Sequence, residues 1–167
     1  MTDLTARAPA ADLLPATHGR CSLSEEWPDA ITALTAWDGS AALPGPGESV
    51  ATETGLTLWS GRRQALHIGP PPPPQPGAAQ ADQTDGWCVM VLSGEDAAEV
   101  LARLTPLDLN PAIFKPGRSA RSLLGHMNAL FHRIDERSFR ILVFRSMAGS
   151  AVHELTRAMR GVAARRG

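Results

Sequence analysis

The chain has 167 residues, 43% of them hydrophobic and only 5% aromatic, which is enough for one domain with a modest core. Its net charge of −1 conceals an asymmetry, because residues 1–100 hold 4 Lys and Arg against 13 Asp and Glu, whereas residues 101–167 hold 12 against 4. The basic residues are interspersed with apolar ones and aromatic platforms are scarce, so the composition argues against a nucleic-acid-binding protein.

Residues 1–22 combine Ala, Pro, Thr and isolated charges without periodicity, which predicts a flexible N-terminal arm. The segment has no apolar signal-peptide core, and no apolar run in the chain reaches the roughly 20 residues of a membrane span. We therefore expect a cytoplasmic protein without a membrane partner.

Residues 23–69 predict a β-rich first lobe. The stretch AITALTAWDGS indicates a short strand, and VATETGLTLWSGRRQALHIG indicates a hairpin in which Leu56 and Leu58 face Leu66 and Ile68 across a turn. Residues 70–86 contain consecutive prolines, which remove backbone donors and favour an extended polyproline conformation. They are predicted to be a spacer between two lobes.

Residues 87–167 predict a second lobe of β-α-β-β-α order within the same compact domain. WCVMVLSG has the composition of a buried strand, and Ser93 with Asp96 suggests a capping-box-like helix start. Two later strands lead to a C-terminal helix with Val152, Leu155 and its apolar neighbours on one face. The expected class is α+β, with two small lobes of antiparallel sheet and helices on one face.

No residue pattern predicts catalysis, a cofactor site or a metal site. Five scattered histidines lack a nucleophile motif, and His126 and His132 would lie roughly 20 Å apart on one strand. The two cysteines, Cys21 and Cys88, have no metal-ligand spacing and are expected to be free, buried thiols. The glycines form neither a GxGxxG motif nor a phosphate-binding loop.

The segment LTPLDLNPAIFKPGRSARSLL, residues 104–124, is apolar yet broken by prolines and glycine. Asp108 follows a predicted helix end, where its carboxylate suits a local turn that accepts a backbone N–H. A proline-rigidified loop loses little entropy on binding, so its side chains are candidates for a preorganised partner contact. The candidate residues are Leu107, Asp108, Leu109, Ile113, Phe114, Pro116, Gly117 and Arg118.

Residues 89–155 resemble the gamma subunit of heterotetrameric sarcosine oxidase. The resemblance rests on the order of short motifs, each weak by itself, and extends over roughly residues 50–158. Those motifs are Leu92-Ser93-Gly94, Asp96-Ala97, Val100-Leu101, Pro-Leu-Asp-Leu at 106–109, Phe114, Pro116-Gly117-Arg118, Leu123-Leu124 and Arg145-Ser146.

The resemblance implies a fold like that of folate-binding, aminomethyltransferase-like modules and a non-catalytic role beside alpha, beta and delta subunits. Such a complex converts sarcosine to glycine, reduces oxygen to hydrogen peroxide and passes the methyl carbon to tetrahydrofolate. FAD, FMN, NAD, zinc and tetrahydrofolate would then belong to partner subunits, with no cofactor in this chain.

Two alternatives remain open at the level of sequence. Residues 70–79 stand where the family pattern has a helix, which is compatible with a gamma-like subunit of a complex that oxidises another N-methyl amine. The chain is also compatible with a free-standing folate-dependent one-carbon transfer module. For Leu107 and Phe114, closing the lobe's own core competes with partner contact.

Overall fold

The computed structural model describes residues 5–166. Within that range the chain forms two antiparallel sheets and two α-helices, α1 (Ala97–Leu101) and α2 (Ala148–Ala163). The strands are β1 (Ala16–His18), β2 (Cys21–Glu26), β3 (Ile31–Ala36), β4 (Ser49–Thr52), β5 (Gly55–Gly61), β6 (Gln64–Ile68), β7 (Ala78–Asp82), β8 (Trp87–Gly94), β9 (Ser119–Leu124), β10 (Met127–Arg133) and β11 (Ser138–Phe144). The predicted α+β class is confirmed.

The larger sheet has six strands in the order β1-β2-β8-β11-β10-β9, and the smaller has five in the order β4-β5-β6-β3-β7. The predicted hairpin is confirmed as β5 and β6, in which Leu56 pairs with Ile68 and Leu58 with Leu66. Successive side chains along a strand point to opposite faces of a sheet. The four named residues lie two positions apart on each strand, so their side chains share one face of the smaller sheet.

The six-stranded sheet is covered on both faces. On its helix face, both α-helices pack over a large apolar core that includes Met90, Phe131, Ile141 and Leu155. Its other face, called the inner face below, packs against the five-stranded sheet through a smaller core. The buried members of that smaller core are Ile31, Leu58, Leu66, Val89, Leu130 and Leu142. The result is a three-layer arrangement of helices, large sheet and small sheet.

The C-terminal helix follows its predicted pattern. Val152, Leu155, Met159 and Val162 are buried, as the spacing of three and four residues requires for one helical face. The first helix is shorter than its sequence periodicity suggests, and the capping-box prediction is wrong. Ser93 lies within β8, and Asp96 makes no side-chain cap hydrogen bond.

The buried Asp96 carboxylate instead forms ion pairs with Arg20 and Arg166, which join the start of β2 and the end of α2. Hydrogen bonding from Arg20 lowers the pKa of Asp96. The backbone of Arg20 passes close to Gly94, since a Cβ on Gly94 would lie 1.9 Å from the Arg20 carbonyl oxygen. With a φ of +130°, position 94 therefore requires glycine.

The flexible arm predicted over residues 1–22 differs from the structure, although residues 1–4 lie outside the described part. Strands β1 and β2 begin at Ala16 and Cys21, and Ala10 is buried against the large core. Strand β2 pairs with β8 in the large sheet, so the predicted boundary that placed residues 23–26 in the first lobe is also wrong. Pairing with a strand far away in the sequence orders this segment, although its own residue pattern predicts no strand.

The predicted spacer over residues 70–86 contains a strand. Residues of β7 pair with β3 at the edge of the small sheet, and Gln80 donates a hydrogen bond to the carbonyl oxygen of Pro73.

The second lobe has the order β-α-β-β-β-α rather than β-α-β-β-α, because Gly125 and His126 form a turn between β9 and β10. Cys21 and Cys88 are free and buried, as predicted. No helix in the described range is long and apolar enough to cross a membrane.

Candidate functional site

The predicted contact residues lie on one continuous segment, residues 106–118, which we call the proline loop. Leu109 and Phe114 are each only 7% exposed and belong to the core on the helix face, with Leu107 packed partly buried beside them. Ile113, by contrast, is 63% exposed. The structure thus places Leu109 and Phe114 in the chain's own core, where they are not available to a partner.

The polar residues of the proline loop shape its backbone. The Asp108 carboxylate accepts a hydrogen bond from the backbone N–H of Asn110 at 2.9 Å, which confirms the local turn predicted for this acid. Pro116 and Gly117 are exposed, and the φ of +81° at Gly117 suits glycine. Arg118 is partly buried, and its guanidinium donates to the carbonyl oxygen of Pro46 at 3.4 Å.

Arg133, the last residue of β10, holds the proline loop in place. Its side chain is 1% exposed, and its guanidinium donates to the carbonyl oxygens of Leu109 at 3.0 Å and Phe114 at 2.9 Å. It also donates to the carbonyl oxygens of Asp135 and Glu136. The cation lies 5.0 Å from the centre of the Phe139 ring, within the range of a cation–π contact.

This arrangement explains how a proline-broken segment closes the core. A loop with few internal backbone hydrogen bonds leaves carbonyl oxygens that need donors, and a single guanidinium supplies several in a fixed geometry. Sequence reasoning missed Arg133, because an arginine beside the Asp135 turn has the appearance of a solvated residue. Burial of its side chain depends on the loop that returns over it from residues 106–118.

A chain of polar groups crosses the junction between the two sheets. Glu26 receives two hydrogen bonds from the guanidinium of Arg140, at 2.6 and 3.0 Å, and Arg140 also lies 3.2 Å from Nδ1 of His132. Nε2 of His132 lies 3.4 Å from the hydroxyl of Ser49, which donates to the carbonyl oxygen of Gly117 at 2.5 Å. These polar groups therefore link β2, β11 and β10 to β4 and the proline loop.

The protonation of His132 follows from its neighbours. A guanidinium only donates, so Nδ1 accepts and the proton of the neutral ring lies on Nε2, facing Ser49. Burial and the positive charge of Arg140 lower the pKa of His132 to about 4, against the opposing effect of Glu26. A histidine held neutral by a cation is a poor general base, so Ser49 and His132 lack the arrangement of a nucleophile–base pair.

The two free thiols are also poorly suited to chemistry. Burial, together with the nearby Glu25 carboxylate, raises the pKa of Cys88 to about 12. Burial likewise raises the pKa of Cys21. Since the thiolate is the reactive form, both cysteines are packing residues at neutral pH. No group of three or more His, Cys, Asp or Glu side chains within residues 5–166 is arranged to hold a metal ion.

A cleft of about 210 Å³ opens where the two sheets diverge, on the inner face of the large sheet. Its lining is mostly apolar and includes Leu66, Trp87, Leu130 and Phe144. The rings of Trp87 and Phe144 stack with their centres 4.8 Å apart. The polar residues that line the cleft are Thr35, Ser60, Gln64, Gln83, Arg121 and Asn128. None of these residues was predicted from the sequence to form a binding site.

Comparison with solved structures finds a chain of similar fold. It belongs to heterotetrameric sarcosine oxidase from Corynebacterium sp. U-96, determined in complex with pyrrole 2-carboxylate, and matches with a TM-score of 0.83 at 26% identity. The match covers 95% of this chain and 96% of that chain. No protein-family model matches the sequence, and no curated protein matches it. The likeness agrees with the sarcosine oxidase resemblance carried by the sequence motifs.

Proposed function

We propose that this chain is the gamma-type, structural subunit of a sarcosine-oxidase-like heterotetramer in the cytoplasm. The single observation that carries the proposal is the structural match to a sarcosine oxidase chain, which extends over nearly the whole of both chains. Coverage from end to end favours an equivalent subunit over a shared fragment. The ordered motifs from Leu92-Ser93-Gly94 to Arg145-Ser146 support the gamma assignment, and with it a folate-binding-like fold.

Under this proposal, alpha, beta and delta subunits carry the chemistry. FAD, FMN, NAD, zinc and tetrahydrofolate reside in those partners, and this chain contributes fold and contact surface. The substrate of the complex is sarcosine, with another N-methyl amine as the alternative. The neutral His132 and the buried Cys88 thiol support a structural role, because both side chains are engaged in internal contacts.

The experiment is purification of the tagged chain from its own source under gentle conditions. We expect larger partners in fixed stoichiometry, a flavin absorbance spectrum, and sarcosine-dependent formation of hydrogen peroxide. Peroxide formation with a different N-methyl amine, and none with sarcosine, would revise the substrate alone. A colourless chain purified without partners would contradict the proposal.

Titration of the isolated chain with tetrahydrofolate separates the remaining alternative. A structural subunit is expected to show no saturable binding at micromolar concentrations. Micromolar binding by the chain alone, in the absence of any flavoprotein partner, would favour a free-standing one-carbon transfer module instead.

A further inference from the structure

The cleft between the sheets continues into an exposed apolar surface. Leu123 and Phe144 are 42% and 43% exposed, and strand register places both on the inner face that also carries Leu130. Phe144 lines the cleft and packs on Trp87. Large apolar side chains that cluster at the mouth of a cleft are typical of a protein–protein contact.

Arg121 places a positive charge beside this apolar surface. It lies opposite Leu130 in the pairing of β9 with β10, and it lines the cleft. Across residues 5–166 it makes no ion pair, whereas Arg140 on the same face is bound to Glu26. A guanidinium next to an apolar cleft has the geometry to receive a carboxylate in two parallel hydrogen bonds.

Trp87 provides an independent sign of an incomplete environment. Its indole Nε1 is buried yet has no hydrogen-bond acceptor among the described residues. Leaving a buried donor unpaired costs about 1–3 kcal/mol, so such groups are rare in completed structures. Because the nitrogen is itself buried, an acceptor from another molecule reaches it only when side chains at the cleft move on binding.

We propose that the cleft receives a segment of a partner subunit that presents an apolar side chain beside a carboxylate. The apolar side chain enters between Leu66 and Phe144, and the carboxylate binds Arg121. The structural match to a chain of a heterotetramer favours another subunit as the occupant. This inference rests on the proposed function and goes beyond it by naming the contact surface and the chemistry of the partner segment.

Charge reversal tests the proposal in the assembled complex. Arg121→Glu is expected to weaken association with the co-expressed partner subunits by about tenfold or more, because the new carboxylate repels the one that it would face. Arg157→Glu is the matched control, since Arg157 is a 75% exposed arginine on α2, within the helical layer on the far side of the large sheet. We expect it to change association less than about twofold. Equal effects of the two variants would overturn the inference.

Site-directed cross-linking locates the occupant directly. The native cysteines are buried, so Leu123→Cys introduces a single accessible thiol for a photoactivatable cross-linker, with Arg157→Cys as the control. The expected product joins position 123 to a partner peptide that contains an apolar residue next to Asp or Glu. Cross-linking to a second copy of this chain, or reaction with partners only from position 157, would overturn the inference.

Different results would contradict the subunit proposal and the cleft inference. If the wild-type chain purifies with partners but cross-links only from position 157, the subunit proposal stands and the cleft inference falls. If the wild-type chain purifies without partners, both fall together.

Discussion

The two faces of the six-stranded sheet differ in how completely they are sealed. On the helix face, a large apolar core includes Met90 and Leu155, and the proline loop, held by the buried Arg133, closes its edge. On the inner face, six buried apolar residues form the core, a series of polar groups runs from Glu26 to Gly117, and a cleft remains open. The helix face therefore carries most of the stability, whereas the inner face carries the groups suited to recognition.

The proline loop illustrates why this distinction matters. Its composition suggested a contact surface, but Leu109 and Phe114 seal the helix face from its edge. On the inner face, by contrast, Arg121 makes no ion pair and the buried indole N–H of Trp87 lacks an acceptor within residues 5–166. The other buried atom without a partner in that range, Nε2 of His67, lies on β6 of the small sheet, on the side turned away from the shared core. Sealed and unsealed regions of the same sheet can be separated experimentally, because substitutions in the first should change stability and substitutions in the second should change assembly.

The largest loss of stability is expected from Arg133→Met. Methionine retains apolar volume but leaves the carbonyl oxygens of Leu109 and Phe114 without their buried donor, so the free energy of unfolding should fall by about 3–5 kcal/mol. Urea unfolding measures the loss. Arg137→Met, at a side chain that is 67% exposed, serves as the control and should change stability little. A loss below about 1 kcal/mol for Arg133→Met would show that the proline loop does not depend on the hydrogen bonds from Arg133.

The proline loop itself provides a matched pair. Phe114→Ala removes a buried ring and should cost about 3 kcal/mol, whereas Ile113→Ala at the neighbouring exposed position should cost less than about 0.5 kcal/mol. Thermal and urea unfolding of the two variants measure the difference. Equal costs would mean that Phe114 does not seal the helix face.

Acid should weaken the junction between the sheets. His132 has a pKa of about 4 in the folded chain against an ordinary 6.5, so between these values the unfolded chain takes up a proton that the folded chain does not. Its contribution to stability is fully present above pH 6.5 and is lost as the pH falls toward 4, by about 2 kcal/mol between pH 7 and pH 5. His132→Gln should flatten this part of the profile, and His126→Gln in an exposed turn should not. An unchanged slope in His132→Gln would contradict the assignment.

A smaller effect is expected from Glu26→Gln, which removes the negative charge that faces Arg140 while keeping the shape of the side chain. Because the Glu26 side chain is 39% exposed, solvent screens the ion pair with Arg140, and the cost should be about 1 kcal/mol. Equilibrium unfolding at low and high salt gives the measurement, with a smaller difference between wild type and variant at high salt. A cost above about 3 kcal/mol would indicate that the inner face depends on this pair far more than its exposure implies.

Sequence reasoning recovered the elements with strong local patterns. The β5–β6 hairpin, the buried strand β8 and the C-terminal helix α2 each have apolar spacing that matches one period, and the structure confirms them. The same reasoning missed β7, whose sequence AAQAD has no apolar alternation and is ordered by pairing with β3. It also missed β2, in which only Cys21 and Leu23 alternate inward before two glutamates follow.

The site was less predictable than the fold for a physical reason. The turn at Asp108 needs only residues two positions apart, so its local sequence predicts it correctly. Arg133, by contrast, meets carbonyl oxygens up to 24 residues away, and the Glu26–Arg140 pair joins residues 114 positions apart. The cleft depends on the packing of two sheets, which no single segment encodes.

The most direct measurement is amide hydrogen exchange of the chain, free and in its purified complex. We expect added protection in the complex in β9, β10 and the end of β11, around Arg121 and Phe144, with little change in α2, which already packs against the sheet. Protection concentrated on α2, or no difference between the free and assembled chain, would contradict the assignment of recognition to the inner face.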